Sequence, residues 1–127
     1  MTARLTRAFG YQDNHLDLPV ANVDTAAAFY EKHFGFRIVS RGDSLNRSII
    51  LGRDDVQMGI AENGQDPTQD GCAFHVVGLD ALHAEFKGNG LDKLGNIDVE
   101  KRDDGRWRVF FVVAPDGLCF WFGEKEP

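Results

Sequence analysis

Cysteine is scarce in this chain: Cys72 and Cys119 are its only two, and no C-x-x-C spacing joins them. A disulfide framework and a thiolate zinc site of the finger type are therefore excluded, and a reducing, cytoplasmic setting is the expectation. Basic charge is also in deficit. Fourteen Lys and Arg face twenty Asp and Glu, for a net charge of −6 and a pI near 5.1. Nucleic-acid binding, which needs clustered cations, is not expected. No apolar run reaches the ~20 residues of a membrane-spanning helix, so no membrane role is expected either. The opening MTARLTRAFGYQ has arginines but no apolar core of a secretory signal. What remains is 43% hydrophobic and 27% charged, the balance of a globular chain with one sizeable core.

The chain repeats itself. HLDLPVANVDTAAAFYEKHFG (15–35) and GCAFHVVGLDALHAEFKGNG (71–90) share one plan. Each is a short alternating run, then an aspartate, then apolar residues at helical spacing, then a closing glycine. Asp24 and Asp80 are expected to cap the two helices, and Gly35 and Gly90 to close them. Three strand-like pieces follow each helix: 36–41, 47–52 and 56–61, then 97–101, 108–113 and 118–123. The polar segment ENGQDPTQD divides the halves. The fold class read from this is α+β: two tandem βαβββ modules with curved mixed sheets and helices outside. Residues 1–127 form a single domain, with modules at 14–61 and 71–124 and a linker at 62–70.

The paired modules, LPVANVDTAAAFYEKHFGF after His15 and the closing PDG…FGE resemble the vicinal oxygen chelate superfamily. Glyoxalase I, extradiol dioxygenases, fosfomycin resistance proteins and bleomycin resistance proteins belong to it, and in detail the chain is most similar to the last. The resemblance implies that each sheet curls into a trough that binds ligand, and that the protein is a homodimer. It also implies four metal-ligand positions, which fall here on His15, Gly59, Gly71 and Trp121. Only His15 carries a ligating side chain, so neither metal nor other cofactor is expected.

Strand parity then assigns faces. If Trp121 replaces a ligand, it faces the trough with Cys119. By the same count His15, Asp17, Gln57, Gly59, Gly71, Ala73, His75 and Val77 face inward, and Phe74, Val76, Phe120 and Phe122 pack under helices. Of Phe110 and Phe111, one is core and one faces the pocket. Trp107 sits at the rim or covers the mouth, and Asp17 and Glu124 place negative charge beside the aromatic rings. The ligand-binding set is His15, Asp17, Gln57, Gly59, His75, Trp107, Phe111, Cys119, Trp121 and Glu124, with no metal ligands. The leading expectation is a protein that sequesters a small aromatic or cationic molecule unchanged. The alternative is a metal-dependent enzyme of the same superfamily: a glyoxalase-type lyase, an extradiol dioxygenase or a thiol transferase. A third reading is an interaction module whose troughs are filled by its own side chains; for Trp121 alone, dimer-interface or core packing stands beside the pocket role.

Overall fold

The computed structural model describes residues 3–11, 14–43 and 45–127. In chain order its elements are β1 (Arg4–Gly10), β2 (Leu18–Pro19), α1 (Val23–Phe34), β3 (Arg37–Gly42), β4 (Ser48–Arg53), β5 (Val56–Ala61), β6 (Gly71–Val77), α2 (Leu79–Gly88), β7 (Asp98–Arg102), β8 (Gly105–Val113) and β9 (Cys119–Lys125). They form two mixed sheets. One has five strands in the order β1-β6-β9-β8-β7, the other four in the order β2-β5-β4-β3. In each, the parallel pair joins the first strand of a module to its last, β2 to β5 and β6 to β9. The βαβββ repeat is thus present twice.

Two features depart from the expected repeat. β1 precedes both modules and runs antiparallel along β6, so the second sheet gains an outer strand. Its sequence, RLTRAFG, has arginines three residues apart and buries only Leu5, so no period-two apolar face marks it, which hides it from a periodicity reading. In the first module, the strand expected from His15 shrinks to Leu18–Pro19. The Asn14 side chain accepts the Leu16 N–H at 2.9 Å and its carbonyl accepts the Asp17 N–H at 3.1 Å. That turn starts the strand only at Leu18, although the His15 carbonyl still accepts the Gly59 N–H of β5 at 2.9 Å.

The core lies between the sheets, around the helices. Phe34 of α1 stacks on Phe86 of α2 with centroids 4.9 Å apart, and meets Phe120 and Phe122 of β9 edge-on at 5.2 and 5.5 Å. Phe110 and Phe74 stack on Phe122 at 5.1 and 5.3 Å. Such pairs contribute about 0.5–1.5 kcal/mol each beyond burial. Side chains from both modules share one apolar cluster. Arg53, at the end of β4, also couples the halves. It donates to Glu85 of α2 at 2.6 and 2.8 Å and to the Phe34 carbonyl at the C-terminus of α1 at 2.8 Å. A cation at that end satisfies an orphan carbonyl and opposes the helix dipole.

The helix caps differ from expectation. Asn22, not Asp24, caps α1 by accepting the Thr25 N–H, and α2 starts from Gly78 with φ of 84° and no side-chain cap of its own. Both helices begin one residue before their aspartate, leaving Asp24 and Asp80 inside the first turn. There Asp24 pairs with Arg41 and Arg47, which hold its carboxyl below the usual carboxylate range, and Asp80 pairs with Arg108, with the same effect. Closure is as expected at Gly35 and Gly90, both left-handed with φ of 71° and 81°.

Carboxylates at the ends of the modules' last strands satisfy further N–H groups of the first turns. Glu62, just past β5, accepts the Val23 N–H at 3.0 Å, and Glu124 on β9 accepts the Gly78 and Leu79 N–H groups, each at 3.0 Å. Each glutamate stands three residues beyond the aligned positions Gly59 and Trp121, so the two modules repeat this contact. Replacing Glu124 with Ala strands two helix N–H groups. In urea unfolding it is expected to lower stability by about 1–2 kcal/mol, more than Glu62→Ala, which strands one. Equal losses would contradict the capping assignment.

Candidate functional site

The five-stranded sheet has a helix face and an open face, and β9 divides its side chains between them. Phe120 and Phe122 are fully buried under the helices. Trp121 lies on the open face with Cys119, in register with Ala73 of β6 and Phe111 of β8. His75 of β6 pairs with Gly123 of β9 and with Arg7 of β1, and Ala73 pairs with Phe9. Phe110 is core, while Phe111 is 44% exposed on the open face. These side chains surround a cavity of about 560 Å³ lined by Phe9, Tyr11, Ala73, His75, Glu100, Arg102, Phe111, Cys119 and Trp121. That volume suits a small organic ligand.

Trp121 is the floor of this cavity, not a free-standing wall. Its six-membered ring lies over Gly123, where a β-carbon would overlap the indole. Glycine at that position is what allows the indole to lie down along the strand. Trp107 and His75 flank it, with centroids at 5.7 and 6.1 Å. The Arg102 guanidinium covers the ring at 4.8 Å, leaving Trp121 only 5% exposed. Trp107, expected at a rim, is buried beside Val109 and Trp121. Both indole N–H groups have acidic partners: Trp107 donates to Asp104 at 2.9 Å and Trp121 to Glu100 at 3.3 Å. The exposed aromatic surface comes instead from Phe111 and Tyr11.

Electrostatically the cavity has two ends. At one, burial and the charges of Arg7 and Arg102 push the His75 imidazole down from its ordinary value, with Asp104 opposing weakly. His75 is therefore neutral at pH 7. At the other, the Tyr11 hydroxyl donates to the Cys119 sulfur at 3.9 Å. Burial, helped by Cys119, Cys72 and Glu100, raises that phenol above its usual range. Cys72, on the helix face, is pushed up to about 12 by burial and is no nucleophile at neutral pH.

Of the ten residues expected to bind ligand, His75, Phe111, Cys119 and Trp121 line this cavity and Trp107 supports it from behind. The other five do not join them. Gln57 and Gly59 lie on β5 of the four-stranded sheet, and His15 and Asp17 lie in the turn that crosses it. Glu124 turns toward α2, with both oxygens engaged there. Sequence reading missed Phe9, Tyr11, Glu100 and Arg102. The first two follow the unrecognised β1. Glu100 and Arg102 alternate on β7, whose polarity resembles a solvated hairpin.

The family's metal positions can be tested against this geometry. A β-carbon at Gly71 would overlap the Cys119 carbonyl, and one at Gly59 would overlap the Leu16 carbonyl. Backbone thus occupies the space where two ligating side chains would start. The indole at 121 offers a donor N–H, not a lone pair. Among the described residues no three His, Cys, Asp or Glu side chains come together. The residues present do not fit the superfamily's metal.

The family model for the Glyoxalase/Bleomycin resistance protein/Dioxygenase superfamily matches residues 13–122. Among solved structures, the bleomycin resistance determinant encoded on transposon Tn5 is 26% identical with a TM-score of 0.69, covering 87% of this chain and 95% of that one. A bleomycin-binding protein solved in complex with bleomycin is 27% identical with a TM-score of 0.67 over the same shares. A virulence protein from Salmonella typhimurium shares the fold at 18% identity and a TM-score of 0.67, covering 91% of this chain and 97% of that one. No curated protein matches the chain.

The close approach at Gly71 makes a direct prediction. Gly71→Ala forces β6 away from β9 and is expected to destabilise the protein by about 1–3 kcal/mol or more in urea unfolding. A variant as stable as the parent would show that this position has room for a ligating side chain.

Proposed function

The chain belongs to the Glyoxalase/Bleomycin resistance protein/Dioxygenase superfamily, and from that premise we propose that it is a metal-free binding protein that holds a small aromatic molecule without changing it. The observation that carries this reading is the cavity of about 560 Å³ on the open face, bordered by Phe9, Tyr11, Phe111 and Trp121. A planar guest stacked on Phe111 and Tyr11 removes apolar surface on both partners from water. Two aromatic contacts and one hydrogen bond suffice for micromolar binding, about −8 kcal/mol. The bleomycin-binding relative, which carries its ligand in its crystal structure, supports a binding role. The enzyme alternative lacks a donor set, because Gly59 and Gly71 face backbone and Trp121 gives its N–H to Glu100.

The acids expected to favour a cationic guest lie outside the cavity lining. Glu124 caps α2, and Asp17 lies exposed in the turn outside the cavity lining. The aromatic half of the expectation is the half this reading keeps.

A homodimer completes the proposal. Val77, Phe111 and Val113 on the open face of one sheet, and Leu16 and Val39 on the other, are 42–52% exposed. A second copy laid against these faces covers them and closes the cavity on its open side.

Two measurements test the reading. Calorimetric titration with 2-naphthol is expected to give a micromolar constant, about tenfold weaker in Phe111→Ala, whose exposed ring makes it safe to truncate; the naphthol should be recovered unaltered. Heat no larger than dilution, or a chemically changed guest, would sink the proposal. Light scattering is expected to give twice the 14.2 kDa chain mass, falling to one chain in Val39→Asp/Val113→Asp. A monomeric parent contradicts the dimer.

A further inference from the structure

We propose that the cavity selects an aromatic guest carrying one negative charge, an arene carboxylate in the simplest case, with its anionic group at the Arg7–His75–Arg102 end. The inference rests on the binding reading above and specifies the guest's charge.

Four observations point this way. First, the seat that a cationic guest would take, the face of Trp121, already holds the Arg102 guanidinium at 4.8 Å. A second cation there would meet like charge at contact distance. Second, Arg7 lies over Phe9, another lining ring, also at 4.8 Å, and its register opposite His75 points it to the same end. Among the described residues Arg7 makes no ion pair, so its N–H donors remain available. Third, the nearby acids are committed to neighbours. One oxygen of Glu100 accepts from Trp121 at 3.3 Å and from Arg102 at 3.2–3.3 Å. Asp104 accepts the Trp107 N–H and faces Lys125 at 3.9 Å. Fourth, burial and then the charges of Arg7 and Arg102 push the His75 imidazole down from its ordinary value against Asp104, so both arginines face that end. A planar carboxylate fits the guanidinium fork of Arg7 in a way a point cation cannot; Arg102, whose Nε and Nη2 face Glu100, adds its remaining N–H groups, and the apolar ring then lies over Phe111 toward Tyr11.

The net charge of −6 would by itself favour cations. The local arrangement overrides it at short range, because surface charges beyond a Debye length are screened.

The test compares three probes of one shape: 2-naphthoate, neutral 2-naphthylmethanol and 2-naphthylmethylammonium, each titrated by calorimetry into the wild-type protein. The expected order is naphthoate tightest, by about tenfold over the alcohol and more over the amine. Arg7→Gln and Arg102→Gln should each cut the ratio of naphthoate to alcohol affinity from about tenfold to about twofold or less. If the amine binds as well as naphthoate, or both substitutions leave the naphthoate advantage intact, the charge assignment is overturned while the aromatic cavity stands. If none of the three binds, the binding reading falls and this inference falls with it.

Discussion

Strand β9 sends Phe120 and Phe122 under the helices and turns Trp121 and Cys119 the other way, and the two halves of the molecule are organised around that division. On one side the phenylalanines join Phe34, Phe74, Phe86 and Phe110 in a stacked cluster that ties both modules together. On the other the indole needs somewhere to lie. Gly123 supplies it, and the ring then organises Trp107, His75, Arg102 and Glu100 around itself. A β-carbon at position 123 would displace the indole and, with it, the cavity floor.

Backbone packing bears on the positions that the superfamily uses for metal ligands. The positions that would carry ligands on the two inner strands are glycines pressed against backbone carbonyls. The open face carries aromatic surface from Phe111 and Tyr11 with Arg7 and Arg102 at one end.

Much of this was legible in the chain and some was not. The Phe-Trp-Phe alternation of 120–122 separates the side chains onto two faces by period alone, but both faces are apolar, and which one opens follows only from the resemblance that puts Trp121 at a ligand position. The repeat is visible because each helix needs the same closing glycine and apolar stripe. Three things escape a local reading. β1 carries Arg4 and Arg7 with no period-two apolar face and relies on β6 for its ladder, so nothing within seven residues declares it. The helix caps Glu62 and Glu124 lie 39 and 45–46 residues from their N–H partners, beyond any cap motif. The turn set by Asn14 carries His15 out of the first strand, and with it the one position that matched the family's ligand pattern.

The claim beneath all of this is that the open face of the five-stranded sheet, and not the four-stranded one, receives the guest. Heteronuclear NMR on protein labelled with ¹⁵N tests it most directly, because Trp121 lines the cavity and Trp107 packs against it. With a saturating naphthalene guest, the Trp121 indole N–H and the amides of Ala73, His75 and Phe111 are predicted to shift, while those of Ile50, Gln57 and Gly59 stay in place. Shifts confined to the second group, or none in either, would contradict the account.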